Sequence, residues 1–197
     1  MATTHAASPR RAQLLTIAER LFAQRGYAQT TVRDIADEAG ILSGSLYHHF
    51  SSKEEMLAEI LQAFVTGLHE RSTAIVEADD DPAVVLDGLI RSAFETVQRF
   101  PHAVALYLNE SSHLGSAPEF AFIASSAAAN EKIWLKVLAA GRRTGQFRDD
   151  LDMKLVYRFI SDTVWASGQW VRPASRLSHR TVADQYLALL HNGLLGS

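Results

Sequence analysis

TTVRDIADEAGILSGSLYHHFSSKEEML, residues 30–57, is the stretch whose reading decides the fold. Val32, Ile35, Ala36 and Ala39 fall on one stripe of a short helix. Gly40 supplies the backbone freedom that a sharp corner needs, and Leu46 with Phe50 gives a second helix its apolar side. Two short helices about a glycine turn form a helix-turn-helix.

The side chains around that corner are rich in donors. Ser43, Gly44 and Ser45 open the second helix with small groups that let the backbone approach another surface closely. Tyr47, His48, His49 and Lys53 follow with hydroxyl, imidazole and ammonium groups. A helix that enters the major groove needs small polar groups for base edges and longer donors for the phosphate walls. Thr30 or Thr31 caps the first helix and can turn its hydroxyl, with the free N–H groups of the first turn, toward a phosphate oxygen. A hairpin that only packs has no use for so many donors beside one tip. His48 and His49 do not read as a metal pair, because adjacent helical residues point about 100° apart and no cysteine completes a coordination shell.

The order of Thr31, Ile35, Ala36, Ala39, Gly40, Tyr47, His49, Phe50, Lys53 and Leu57 resembles the DNA-binding domain of the TetR family of bacterial repressors. That resemblance implies an all-α homodimer with about nine helices per chain. Three helices form the N-terminal helix-turn-helix head, residues 1–53, and the others form a C-terminal ligand-binding and dimerisation body, residues 54–197. Carried over where the motif matches, the resemblance puts Ser43, Gly44 and Ser45 near bases. It puts Thr31, Tyr47, His49 and Lys53 on phosphates, lets His48 do either, and adds Arg33 to the DNA-binding set.

Composition fits this. The chain has 197 residues, 47% of them hydrophobic, and a net charge of −3. The head departs from the whole: Arg10, Arg11, Arg20, Arg25, Arg33 and Lys53 stand against Glu19, Asp34, Asp37 and Glu38, a local balance of +2. Phosphate attraction is local at physiological salt, so a weakly basic head on an acidic body suits docking by one end. No apolar run is long enough for a membrane span, and MATTHAASPRR offers no signal segment, so the expected location is the cytoplasm. The absence of cysteine excludes disulfides and thiolate chemistry. With no G-x-S-x-G elbow, no H-E-x-x-H and no phosphate loop, neither an enzyme nor a bound cofactor or metal is expected.

Beyond the head, helical periodicity runs to the C-terminus without strand-like alternation. The helices near residues 152–171 and 178–195 are apolar on more than one face. They are therefore expected to pair with their copies in the dimer. Phe94, Tyr107, Phe120, Phe122, Trp134, Phe159 and Trp165 form an aromatic set suited to line a small-molecule cavity, and from it Phe94, Tyr107, Phe122, Trp134 and Trp165 are the expected site residues. The run from Asp150 to Pro173, with Gln185, Tyr186 and Leu187, is similar to actinobacterial TetR repressors of sterol-ring and fatty-acid catabolism that respond to coenzyme A thioesters. That implies a hydrophobic or acyl-coenzyme A effector, with Arg158, Ser161 and Gln169 beside Trp165 in the site. Phosphates call for arginine or lysine, yet one turn either side of Trp165 stand Ser161 and Gln169. Two other readings stay open at this point: a regulator of multidrug or other small-molecule response, and a DNA-binding protein with no effector.

Overall fold

In a computed structural model of the chain, residues 8–114, 117–170 and 178–194 are described; Arg172 and Pro173 of the similarity above lie outside them. The elements among the described residues are α-helices: α1 (Pro9–Arg25), α2 (Val32–Glu38), α3 (Ser43–Leu46), α4 (Lys53–Ala78), α5 (Pro82–Arg99), α6 (Pro101–Leu114), α7 (Ala121–Arg143), α8 (Met153–Ala166) and α9 (His179–Leu194). Single 3-10 turns stand at Pro118–Phe120 and Ser167–Gln169. None of the helices is long and apolar enough to cross a membrane.

The boundaries follow from local chemistry. Ser8 accepts from Arg11 N–H to start α1, and Gly26, at φ 89°, ends it. Thr31 and Asp34 form a reciprocal capping box at α2. Ser52 Oγ accepts from Glu55 N–H at the start of α4, while the Glu55 carboxylate reaches back to the Ser51 N–H and hydroxyl, each at 2.6 Å. Asp81 with Pro82, and Asp152, open α5 and α8. Gly40, at φ 65°, is the corner residue between α2 and α3, where a side chain would be strained.

The chain divides into two compact units, Met1–Phe64 with His102–Ile123 and Val65–Pro101 with Ala124–Ser197. In the first, Leu14, Leu21 and Phe22 of α1 meet Ile35, Leu46, Phe50 and Leu57 in one buried cluster. α6 contributes Leu106 to that cluster. In the second, Leu89, Ile90 and Phe94 of α5 pack with Leu138, Ile160 and Leu187 of α7, α8 and α9. α4 and α7 run through both units.

Candidate nucleic-acid interface and ligand-binding body

The helix-turn-helix is anchored from beneath. Leu46 and Phe50 are buried, which turns their neighbours outward: Gly44, Tyr47 and His48 are exposed, while Ser43, Ser45 and His49 are half-buried. The α-helical part of α3 is only four residues long. The two bonds that follow, His48 N–H to Ser45 O at 3.3 Å and His49 N–H to Leu46 O at 2.9 Å, have the tighter 3-10 spacing. Ser-Gly-Ser carries little intrinsic helicity, so the second helix is shorter than its apolar periodicity suggests.

Three side chains have a structural task as well as the expected one. Thr31 donates its backbone N–H to Asp34 Oδ2 at 2.8 Å and accepts from Asp34 N–H at 3.1 Å, so both its polar groups are engaged in the free chain. Lys53 donates to the carbonyls of Tyr27 at 2.8 Å and Thr30 at 2.9 Å, with its ammonium 4.2 Å from the Tyr27 ring centroid. Two of its three donors are thus taken by the turn before α2, and one stays available. Arg33 is well exposed, 3.6 Å from Asp37 one turn on.

Sequence reasoning missed the role of Arg11. It lies in α1, its guanidinium 4.3 Å from the Phe50 ring centroid, bonded to the His49 carbonyl at 3.4 Å, to Glu55 at 3.0 Å and to Glu59. One side chain therefore ties the end of the α3 region to the first turns of α4. Leu42, directly before α3, is 81% exposed, an apolar tip that no periodicity signals.

Hydrogen bonds from the Ser51 hydroxyl and N–H hold the Glu55 carboxyl below its ordinary value of 4.5, and Arg11 adds to this. A depressed carboxyl pKa contributes stability above the unfolded value and loses it as the pH falls through the folded one. The contribution of Glu55 is therefore expected to be complete and independent of pH near neutrality, and the melting temperature to fall below pH 4.5, with a shallower acid limb in Glu55→Gln. Thermal unfolding from pH 7 to pH 3 reads this directly. Identical acid limbs would remove Glu55 from the account.

The eight residues expected at an effector site are distributed over both units. Tyr107 and Phe122 are partly buried against the first unit's cluster, Tyr107 with its ring 5.6 Å from that of Phe64. Phe94 and Trp134 are buried in the second unit, and Trp165 packs partly buried on the same cluster. Ser161 is half-buried, and Arg158 and Gln169 are exposed. A groove of about 500 Å³ runs between α5 and α9 in the second unit, with Phe94 and Ala183 among its apolar lining and Arg91, Glu95, Arg180 and Asp184 among its charged one. Among the described residues no group of three or more histidine, aspartate or glutamate side chains is placed to hold a metal ion.

Comparison with known proteins fits this arrangement of head and body. The family model described as bacterial regulatory proteins, tetR family, matches residues 14–60, and that described as tetracyclin repressor-like, C-terminal domain, matches residues 79–194. The chain is 46% identical to the HTH-type transcriptional repressor KstR2 of Mycobacterium tuberculosis, over 94% of this chain and 92% of that one. It is 44% identical to KstR2 of Rhodococcus jostii, over 97% and 94%. The solved structure of the ketosteroid transcriptional regulator KstR2 of M. tuberculosis superposes with a TM-score of 0.92 at 45% identity, covering 96% of this chain and 97% of that one. AibR, solved with isovaleryl coenzyme A and operator DNA, shares the fold with a TM-score of 0.83 at 23% identity, covering 91% and 97%.

Proposed function

Because the chain belongs to the TetR family of bacterial regulatory proteins, we propose that it is a homodimeric transcriptional repressor of lipid catabolism genes. In this reading it holds a palindromic operator with paired heads and releases it when an effector occupies the body. It is a regulator and not an enzyme, and its work on DNA puts it in the cytoplasm. The observation that carries the reading is the near full-length similarity to KstR2 repressors, on a head whose donors are exposed around a firmly packed corner. Residues 1–53 act on DNA, with Ser43, Gly44 and Ser45 at bases. Arg33, Tyr47, His48, His49, the Thr31 cap and the free donor of Lys53 hold phosphates. Residues 54–197 bind effector and partner, the partner through α8 and α9. A coenzyme A thioester with a hydrophobic acyl part is the effector class in this reading: the ketosteroid designation of the similar structure supports the hydrophobic part, and the thioester follows from the sequence resemblance.

Titration of the purified chain against promoter fragments beside its own coding region, with and without acyl-coenzyme A thioesters, tests this. Binding that is tight, salt-dependent and lost on thioester addition is expected; indifference to every fragment would defeat it. Within the same assay, Ser45→Arg is expected to change which operator is preferred. Lys53→Ala is expected to weaken all sequences alike and to lower the salt slope by about one per head. It also removes the two bonds to Tyr27 and Thr30, so the comparison belongs well below the melting temperature. A changed sequence preference in Lys53→Ala would contradict the phosphate role.

A further inference from the structure

Arg71, on the stretch of α4 in the second unit, is a half-buried cation that no carboxylate among the described residues contacts as an ion pair. Its Nε is buried with no hydrogen-bond partner, and among the described residues no carboxylate forms an ion pair with it. The other arginines differ: Arg11, Arg20, Arg91 and Arg148 are paired, while Arg142, Arg143, Arg158 and Arg180 are exposed to water. The Arg71 guanidinium lies 5.2 Å from the Phe100 ring centroid, and Arg99 lies 5.7 Å from the same centroid with its charge shared with Glu95. Burial is the main influence lowering the Arg71 pKa and the charge of Arg99 lowers it further, against a smaller opposing pull from Glu95 and Glu70. Arginine nevertheless stays protonated at neutral pH, so folding carries a partly desolvated charge that Glu95 and Glu70 offset only at a distance, without an ion pair.

We propose that Arg71, backed by the Phe100 ring and flanked by Arg99, is the anchor for an anionic group, phosphate or carboxylate, on the effector. This rests on the reading of the chain as an effector-controlled repressor and adds a half-buried cation to a charge recognition that the resemblance leaves to the exposed Arg158. A guanidinium that is partly out of water, with donors unused, meets an oxyanion by charge-assisted, bidentate hydrogen bonds. Its position also matters for coupling. Arg71 is on the helix that gives Met56, Leu57 and Leu61 to the core of the first unit, so a ligand held there acts on the element that carries the head.

The test compares wild type, Arg71→Gln and Arg71→Lys by thermal shift and calorimetry. Isovaleryl-coenzyme A, free coenzyme A, isovaleric acid and pyrophosphate are the probes, and operator binding is measured on the same samples without ligand. At least one anion is expected to stabilise wild type, with Kd at least about tenfold weaker in Arg71→Gln and intermediate in Arg71→Lys. Response to coenzyme A and pyrophosphate identifies a phosphate site, and response to isovaleric acid alone identifies a carboxylate site. Without ligand, Arg71→Gln is expected to melt within a degree or two of wild type, because relief of the desolvated charge offsets the loss of the Phe100 contact and of the pull of Glu95 and Glu70. Equal affinity in wild type and Arg71→Gln, no stabilisation of wild type by any of the four, or a ligand-free melting temperature several degrees lower would each overturn the anchor. Operator binding without ligand reports separately on the repressor reading and survives each of these outcomes.

Discussion

Phe159→Glu is expected to give a folded chain that stays monomeric at micromolar concentration and binds operator at least ~100-fold more weakly than wild type. Phe159 is 65% exposed on α8, with Leu155 50% exposed one turn before it. On α9, Leu189 is 76% exposed. Large apolar side chains grouped in water mark a surface that is covered in the working assembly. A two-fold interface presents the same patch twice, so one substitution buries two carboxylates against apolar neighbours. Phe159 makes little core contact within its own chain, which is why the loss falls on association and leaves the fold intact. Each head alone grips only half an operator, and linking two heads raises affinity about 10²–10⁴-fold over one. Sedimentation with operator titration checks the expectation, and Phe159→Leu serves as the conservative control. A Phe159→Glu dimer with unaltered operator affinity would move the interface off α8 and α9.

Local grammar is what a single sequence records best, and the head consists of little else. Gly40 at its corner, Thr31 and Ser52 as caps and Pro82 after the acidic run are short-range features, and each stands where its chemistry requires. What was not legible depends on pairing across the chain. Apolar spacing says that Tyr107 and Trp134 face something. It does not say that Tyr107 packs with the first unit's cluster and Trp134 with the second's. The recruitment of α6 to the core of the helix-turn-helix unit is of the same kind. Charged residues are less legible still. Arg11 and Lys53 count alike in sequence as cations of the head, yet Arg11 is committed to His49, Glu55 and Glu59, and Lys53 is shared between the chain and an open donor. Arg71 carries no sequence signal, because its significance lies in a buried Nε that finds no hydrogen-bond partner in the fold.

Gly141→Ala is expected to lower folding stability by about 3 kcal/mol although it replaces glycine by the best helix former. Gly141 lies in the last turn of α7, where alanine alone would gain up to about 1 kcal/mol. The opposing effect is steric. After Gly145, at φ 76°, the chain folds back so that Phe147 N–H donates to the Gly141 carbonyl at 3.1 Å and the ring covers the glycine. A Cβ there would overlap Phe147 Cδ2 and Cε2 and stand 2.8 Å from Cγ, closer than carbon atoms approach. Phe147 is 2% exposed within the second unit's core, and Arg148 N–H is tied to Leu194 O at 2.9 Å, so the ring has no free direction in which to retreat. The outcome resembles loss of the ring's packing, which costs about 3–5 kcal/mol for a buried phenylalanine. Gly193→Ala on α9 meets nothing within 4 Å and is expected to be neutral or slightly stabilising. In urea titrations the double variant Gly141→Ala with Phe147→Ala is expected to be no less stable than Phe147→Ala alone, and more stable by up to about 1 kcal/mol, since without the ring the clash is gone and the helix propensity of alanine remains. A Gly141→Ala midpoint indistinguishable from wild type would mean that the turn at Gly145 does not hold Phe147 against the helix.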